Sequence, residues 1–506
     1  MILKRGILKR GSQSRNRTRA AAAVLALLMA TATAGFSRAE AATRPHASAA
    51  DPAVTGPITG GDGAIVLQST AFDLSSVGYE QSEYFLSGTA DSYTSATALT
   101  SGGRWAVTPA STAPYTTRIV VYRPQNPAHF NGTVVVEWLN DSADLDVPAT
   151  WVATHNELIR DGFAWVGVSA QQVGVDELKQ ADPVRYAALS HPGDSYSYDI
   201  FSQAGQAVRD QASTVLSRLT PRKVLAIGES QSAFRLTTYA DAIQPLVNEY
   251  DGFLIYSREG TSAALSQAPQ ADVPAPSVVL IRPDLGVPVL AVETETDLIP
   301  LDYYAARQAD SPDFRDWEIA GAAHADTYIA EVGFIDTGNG AGDIAAFDTM
   351  LDPPTTPDPA DPVITCASPI NTGEAHYVVE AAAYALNLWV DKGIAPLPAP
   401  RLDTTAGPTP AFVLNANGDA EGGIRTPAVD VPVATLSGLG QSGSSFCFLF
   451  GTTTPFSTTK LAALYPTHAR FVAEWSADTT FDALRGYLRP ADAADLVTAA
   501  EESAIG

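Results

Sequence analysis

The sequence predicts an α/β protein with a mostly parallel, doubly wound sheet, an N-terminal β region and a lid-like C-terminal extension. The chain has 506 residues, of which 45% are hydrophobic and 17% are charged, so it can bury a large core. Between positions 133 and 319, short runs that are apolar at every position alternate with amphipathic stretches. Such runs are typical of strands covered on both faces, and their alternation with helices indicates parallel strands joined by crossovers.

Residues 1–41 are predicted to be a secretory signal peptide. Seven basic residues within 4–19 precede an apolar run at 20–34, and Ala39-Glu40-Ala41 supplies an A-x-A cleavage site. The apolar run is shorter than the roughly 20 residues that span a membrane, so we expect secretion without stable membrane insertion. Cleavage removes these seven basic groups, Arg38 and the acidic Glu40, which changes the formal charge from −25 to −32. Bulk charge of this sign does not favour nucleic-acid binding.

The next segments are predicted to be a linker and then a strand-rich region. Residues 42–61 are mostly small and are interpreted as the linker. Alternating apolar residues separated by Gly, Ser and Pro predict strands around 65–67, 84–86 and 119–122.

The α/β core is predicted to occupy residues 62–395, with insertions at about 258–280 and 325–365. A Pro- and Asp-rich stretch at 352–362 is incompatible with a helix or a central strand. A helix is predicted over 373–390, and the C-terminal extension at 396–506, with short helices near 469–475 and 491–503, is expected to pack on the core. The predicted core strands are 133–136, 163–168, 224–227, 253–256, 287–292 and 317–319, and the predicted core helices are about 148–161, 198–217, 231–246 and 301–308.

The two cysteines, Cys366 and Cys447, are predicted to form a disulfide, because an exported chain enters an oxidising compartment. Two buried free thiols are the alternative. The chain has no CxxC motif, so a cysteine-based metal site is not expected. Five aspartates that could bind calcium lack the DxDxDG spacing and are interpreted as a solvated acidic loop: Asp343, Asp348, Asp352, Asp358 and Asp361.

Ser230 is the predicted nucleophile. Ligands of doubly wound sheets bind at the carboxyl ends of strands, and Gly228-Glu229-Ser230-Gln231-Ser232 follows an apolar run and opens a helical segment. The relaxed pattern G-x-S-x-small also occurs at 193–197, 260–264 and 440–444, without that context. A serine that only caps the helix is the alternative. The arrangement resembles the strand–elbow–helix of α/β-hydrolases, with Ser232 in place of the usual second glycine.

His324 is the predicted base. Hydrolases with this elbow carry their partners downstream in the order Ser, Asp or Glu, His. His324 follows the short run Trp317-Glu318-Ile319 in a small-residue loop, which resembles the loop that carries the histidine in these enzymes. His376 is interpreted as a surface or capping residue at the start of a helix, and His468 lies in a late helix.

Asp297 is the predicted acid, and Glu295 is the alternative. Both follow the apolar run 289–292, and Asp297 stands three residues before Pro300, as in the corresponding turn of the family. The carboxylate would hold the imidazole tautomer. An oxyanion hole is expected from the backbone N–H groups of Gln231, which follows the nucleophile, and of Asn140, which follows the strand at 133–136.

The mature chain as a whole resembles a family of secreted bacterial α/β-hydrolase-domain proteins. The resemblance implies a serine hydrolase without metal or organic cofactor, and it does not give the substrate. The favoured interpretation is an exported hydrolase of small-molecule or polymer carboxylic esters. A peptidase or amidase with the same triad and a catalytically silent binding protein are the alternatives. Arg425 is interpreted as part of a structural ion pair, with contact to an acidic substrate group as the alternative. The resembling stretches are 135–140, 228–232, 387–389, 422–427 and 450–451.

Overall fold

The computed structural model describes residues 49–357, 364–407, 410–444 and 446–506. The predicted signal peptide, the first part of the predicted linker, Asp358 and Asp361 lie outside these residues. Within the described ranges, no helix combines the length and the apolar character that a membrane crossing requires.

Nine strands form one sheet at the centre of the described structure. They are β1 (Ala53–Thr55), β2 (Tyr79–Thr94), β3 (Thr108–Pro124), β4 (Thr133–Trp138), β5 (Ala164–Val168), β6 (Lys223–Glu229), β7 (Gly252–Tyr256), β8 (Val289–Thr294) and β9 (Phe314–Ile319). The strand order is β1-β2-β3-β5-β4-β6-β7-β8-β9. The six strands β4 to β9 are parallel to one another. Strands β1, β2 and β3 extend the sheet in antiparallel pairing. The predicted α/β fold with an N-terminal β region is confirmed.

Helices cover both faces of this sheet. A separate two-stranded ribbon joins β10 (Ala434–Ser437) and β11 (Thr452–Pro455). The helices are α1 (Ala149–Arg160), α2 (Gln172–Ala181), α3 (Ser197–Asp210), α4 (Ala212–Val215), α5 (Gln231–Thr238), α6 (Gln244–Val247), α7 (Glu295–Leu298), α8 (Gly333–Ile335), α9 (Ala341–Leu351), α10 (Ala375–Lys392), α11 (Pro427–Asp430), α12 (Thr458–Leu464), α13 (His468–Arg485) and α14 (Pro490–Glu502).

The core strands are mostly apolar on both faces because each face packs against helices. Val134 and Val136 of β4 lie in a buried cluster with Phe201 of α3. The intervening Val135 lies in a second cluster with Trp151 of α1. Alternate residues of a strand point to opposite faces, so a strand covered on both sides does not show the usual alternation of buried apolar and exposed polar residues.

Three local predictions are wrong. Residues 53–55, within the predicted linker, form β1 and pair with β2. Residues 65–67 are not a strand: the Val66 N–H donates to Tyr186 Oη and its carbonyl accepts from Arg118 Nη1, so side chains replace a strand partner. The helix predicted over 301–308 is a single 3₁₀ turn at Tyr303–Ala306.

The C-terminal residues pack on the sheet domain through a third apolar cluster. Leu298 at the end of α7 lies in this cluster with Leu436 of β10 and Trp475 of α13. The backbone of Ile424 also forms a parallel bridge with Ile319, the last residue of β9. The described residues from 49 to 506 therefore form one compact unit.

The predicted disulfide joins Cys366 to Cys447, with a Cα–Cα distance of 5.4 Å. Both cysteines are buried beside Ile370 and Phe450. The bond links a segment that precedes α10 to a segment that follows β10, across a sequence separation of 81 residues. It therefore connects the core to the C-terminal extension.

We expect titration of the denatured, unreduced protein to find no free thiol. After reduction two thiols should react, and the free energy of unfolding should fall by about 4 kcal/mol, because opening a loop of this length restores entropy to the unfolded chain. Thiol counting before and after reduction, with denaturant unfolding of both forms, measures these effects. Two reactive thiols in the unreduced protein would contradict the bridge.

Candidate active site

Ser230 lies on a sharp turn between β6 and α5. Its backbone has φ 55° and ψ −120°, a conformation that non-glycine residues rarely adopt. The Ser230 N–H donates to the carbonyl of Tyr256 on the neighbouring strand, at 3.0 Å, which holds the turn in place. A Cβ at Gly228 would lie 2.9 Å from the Cβ of Ser232. The close approach of strand and helix therefore requires glycine at 228 and a small residue at 232.

The structure brings Ser230, His324 and Asp297 together in one chain of hydrogen bonds. His324 Nε2 lies 2.8 Å from Ser230 Oγ, and His324 Nδ1 lies 2.6 Å from Asp297 Oδ1. His324 stands in the loop after β9, and Asp297 lies in the short helix α7 after β8. All three side chains thus follow the carboxyl ends of parallel strands. This geometry allows the imidazole to take a proton from the serine while the carboxylate holds its tautomer.

The second carboxylate oxygen of Asp297 is held by three donors. It accepts from the Thr294 N–H at 2.6 Å, from Thr294 Oγ1 at 2.7 Å and from Ser257 Oγ at 2.9 Å. Thr294 and Asp297 also form the capping box of α7. These hydrogen bonds fix the orientation of the Asp297 side chain toward His324.

Glu295, the alternative acid, makes a different set of contacts. Its carboxylate accepts from the N–H of Gly321 at 2.6 Å, from the N–H of Gly438 at 2.9 Å and from Ser437 Oγ at 3.2 Å. Burial raises the pKa of Glu295 to about 7. The side chain connects the start of the His324 loop to the ribbon of the C-terminal extension. The geometry therefore favours Asp297 as the partner of the histidine.

The two predicted oxyanion donors differ in availability. Among the described residues, the N–H of Gln231, at the start of α5, has no acceptor. The N–H of Asn140 donates to the Val147 carbonyl at 2.9 Å, which conflicts with the predicted role of Asn140. In the described structure, Ala143 and Ala149 also line the site and have N–H groups without an acceptor, so either could supply the second donor.

Asn140 instead fixes Glu229, the residue before the nucleophile. Its Nδ2 donates to the Glu229 carbonyl at 3.1 Å and to Glu229 Oε2 at 3.0 Å. The other carboxylate oxygen of Glu229 lies 3.5 Å from His324 Nε2. Burial raises the pKa of Glu229 to about 7, against the opposing effect of His324. Sequence analysis missed this carboxylate, although its position beside the predicted nucleophile was a usable signal.

The activity supported by this geometry is expected to fall as the pH drops through the pKa of His324. Burial by itself lowers this pKa, but the Asp297 carboxylate and Glu229 outweigh burial and raise the pKa above the ordinary 6.5. The neutral imidazole, which accepts the serine proton, is therefore populated only at higher pH. A kcat/KM profile for a p-nitrophenyl ester from about pH 5 to 9 measures this acid limb.

The variant Glu229→Gln tests the same profile. Removal of its negative charge should move the acid limb to lower pH, because Glu229 contributes to the raised pKa of His324. The matched variant Glu421→Gln, at an exposed position of the C-terminal extension, should leave the limb in place. A kcat/KM that is flat across this range in the unmodified protein would contradict a histidine base.

A cavity of about 250 Å³ opens beside Ser230 and His324. Further polar groups of the lining come from Asn140, Ser142 and Glu229. The remaining lining is apolar and comes from three parts of the chain: residues 143–152, the segment after His324, and residues 446–450 of the C-terminal extension. A reacting group bound at Ser230 would thus extend into an apolar space.

The other residues considered in the sequence analysis, His376, His468 and Arg425, lie outside the triad and the cavity lining. The ring of His376 is buried and stacks on Tyr328 with 3.5 Å between ring centroids, so the prediction of a surface or capping residue is wrong. The ring of His468 contacts backbone carbonyls near the C-terminus, including that of Ile505 at 2.8 Å. Arg425 Nε lies 2.6 Å from Asp430 Oδ1, in an ion pair outside the cavity lining. Among the described residues, no group of three or more His, Cys, Asp or Glu side chains could hold a metal ion.

Comparison with solved structures finds esterases and serine hydrolases at low identity. A serine hydrolase without a lid from Xanthomonas campestris is 13% identical, with 40% of this chain and 78% of that chain covered and a TM-score of 0.26. A rice cell wall degrading esterase from Xanthomonas oryzae is 14% identical, with coverages of 37% and 48% and a TM-score of 0.21. Fungal esterases from Rhizomucor miehei are 12% identical, with coverages of 51% and 85% and a TM-score of 0.24.

The family assignment rests on a family model. None of the curated proteins matches the chain. The model described as the alpha/beta hydrolase domain matches residues 54–498, which includes the sheet, the elbow and the C-terminal extension. The chain belongs to the alpha/beta hydrolase domain family.

Proposed function

We propose that the protein is an exported serine hydrolase that cleaves carboxylic esters through a Ser-His-Asp triad and an acyl-enzyme intermediate. The observation that supports this proposal is the unbroken hydrogen-bond chain from Ser230 Oγ through His324 to Asp297, next to a cavity. Its substrate is a small-molecule or polymer ester. The triad supplies base, nucleophile and acid from side chains, so the reaction requires no metal or organic cofactor.

The reaction would proceed in two halves. His324 Nε2 takes the proton of Ser230 Oγ, which attacks the ester carbonyl carbon, and the resulting oxyanion is bound by the Gln231 N–H and a second donor. The protonated histidine then gives its proton to the leaving alcohol. In the second half, His324 takes a proton from water, the hydroxide attacks the acyl carbon, and Ser230 Oγ leaves with the proton from the imidazolium.

Two features support export as part of this proposal. Residues 1–41 have the sequence pattern of a cleaved signal peptide. The Cys366–Cys447 bond belongs to a class of bonds that persists in oxidising compartments.

Labelling with a fluorophosphonate probe, followed by hydrolysis assays on p-nitrophenyl esters and anilides, tests the function. We expect covalent labelling at Ser230 and turnover of esters that exceeds that of anilides. Labelling with higher activity on anilides would favour a peptidase or amidase. Absence of both labelling and turnover in folded protein would favour a silent binding protein.

A further inference from the structure

We infer that the cavity beside Ser230 is an acyl-group site that selects neutral, apolar acyl groups and that the C-terminal extension supplies its specificity wall. This inference rests on the proposed function and adds the class of substrate. It concerns the acid half of the ester, because the cavity is lined by Ser230, which carries the acyl group in the acyl-enzyme.

The walls of the cavity are built from apolar side chains of three separate segments. Val152 comes from α1, and Ile329 and Phe334 come from the segment after His324. The C-terminal extension adds Phe446, Leu449 and Phe450. An apolar acyl chain would bury its surface against these side chains and gain free energy in proportion to the area removed from water.

The charges around the cavity exclude an anionic acyl group. No lysine or arginine occurs among the described residues that line it. The acidic side chain in the lining is Glu229, which lies next to His324. A carboxylate on the acyl group would lose its hydration without gaining a cationic partner, and an uncompensated buried charge is costly.

The wall from the extension is fixed at three points. Cys447 within it is bonded to Cys366. The Leu449 carbonyl accepts from the N–H of Ala325, the residue after His324, at 3.0 Å. The Phe450 carbonyl accepts from the Asn371 N–H at 2.8 Å. The wall is thus attached directly to the loop of the histidine, and its position relative to the reacting atoms is set.

The volume of the cavity indicates the size of the acyl group. A dry cavity of about 150 Å³ lined by Leu, Ile and Phe accommodates benzene, which corresponds to roughly 25 Å³ per carbon atom. By this measure the 250 Å³ cavity accommodates about ten carbon atoms. Acyl groups up to that length should continue to gain from each added methylene.

A series of p-nitrophenyl esters with one leaving group and acyl chains from acetate to palmitate tests this inference. We expect kcat/KM to rise about fourfold per methylene at first and to stop rising near ten carbons. The p-nitrophenyl monoester of succinic acid should react at least tenfold more slowly than the butyrate ester, which has the same chain length. Equal rates across the series, or preference for the succinate ester, would overturn the inference.

The variant Phe446→Ala tests the wall, and Phe448→Ala is its control. Phe446 lines the cavity and is 40% exposed, so its truncation should leave the fold intact. Phe448 is 46% exposed, lies two residues further along and is not part of the lining. We expect Phe446→Ala to lower the ratio of octanoate to acetate kcat/KM by about tenfold and Phe448→Ala to leave that ratio unchanged.

The outcomes separate the two proposals. Fluorophosphonate labelling together with acetate hydrolysis supports the proposed function whatever the chain-length profile is. If both occur and the octanoate-to-acetate ratio is the same in the unmodified protein, Phe446→Ala and Phe448→Ala, the acyl-site inference fails alone. If folded protein is neither labelled nor active on any ester, both proposals fail.

Discussion

Replacement of Ser230 by alanine is expected to lower kcat on esters by several orders of magnitude. The hydroxyl that forms the acyl-enzyme is lost, and the base at 2.8 Å then has no proton to take. His324→Ala should cost a similar factor, because Ser230 would keep its proton. Since the two side chains act in one step, the double variant should be little worse than either single variant.

Ser232→Ala is the matched control for this experiment. Ser232 lies two residues after Ser230, in the first turn of α5. It is buried, and its hydroxyl has no hydrogen-bond partner among the described residues. Alanine at position 232 keeps the Cβ atom, which packs closely against Gly228. Steady-state kinetics should therefore find near-normal activity in Ser232→Ala. Undiminished activity in Ser230→Ala would remove the serine-hydrolase proposal.

Asp297→Asn is expected to lower kcat by about 10³- to 10⁴-fold near neutral pH. Asparagine can accept on one side of its amide only, whereas Asp297 faces His324 Nδ1 with one oxygen and three donors with the other. In either orientation of the asparagine amide, its NH₂ group therefore faces donors, which are either His324 Nδ1–H or the three groups of Thr294 and Ser257. Either the imidazole adopts the wrong tautomer or the carboxamide turns away from it.

Glu295→Gln is the comparison for Asp297→Asn. Glu295 accepts hydrogen bonds from Gly321, Gly438 and Ser437, so its substitution should lower the free energy of unfolding by about 1–3 kcal/mol. Most of the activity should remain, because Glu295 does not contact His324. Kinetics and denaturant unfolding of both variants measure this contrast. A large loss of activity in Glu295→Gln with little loss in Asp297→Asn would transfer the acid role.

The three residues of the hydrogen-bond chain could be predicted because each follows a short, largely apolar run that ends a parallel core strand. Burial of the sheet on both faces produces those runs, and their carboxyl ends meet at one edge. Ser230, Asp297 and His324 therefore share a place in the fold that the pattern makes visible. Asp297 and Glu295 both lie in the short helix after β8, so only their contacts in the fold distinguish the partner of His324 from its neighbour.

Features that depend on contacts distant in sequence could not be predicted in this way. The occupied N–H of Asn140 reflects a bridge to Val147 that no periodic pattern indicates. Burial of His376 depends on the ring of Tyr328, which lies in an insertion. Phe446 contributes to the cavity because a disulfide and two hydrogen bonds place its segment there. Such irregular segments have no period from which their neighbours can be inferred.

The position of Phe446 in the sequence has a consequence for biosynthesis. A chain made from its N-terminus has all three residues of the triad once His324 has been added, yet the last cavity wall is made more than 100 residues later. The bond that secures this wall also requires an oxidant. A ribosome-bound or still reduced chain would thus possess the reactive groups without a complete binding site. Under the proposed function, selective ester cleavage would therefore require residues 446–450 to be in place, and the disulfide would stabilise them there once it has formed.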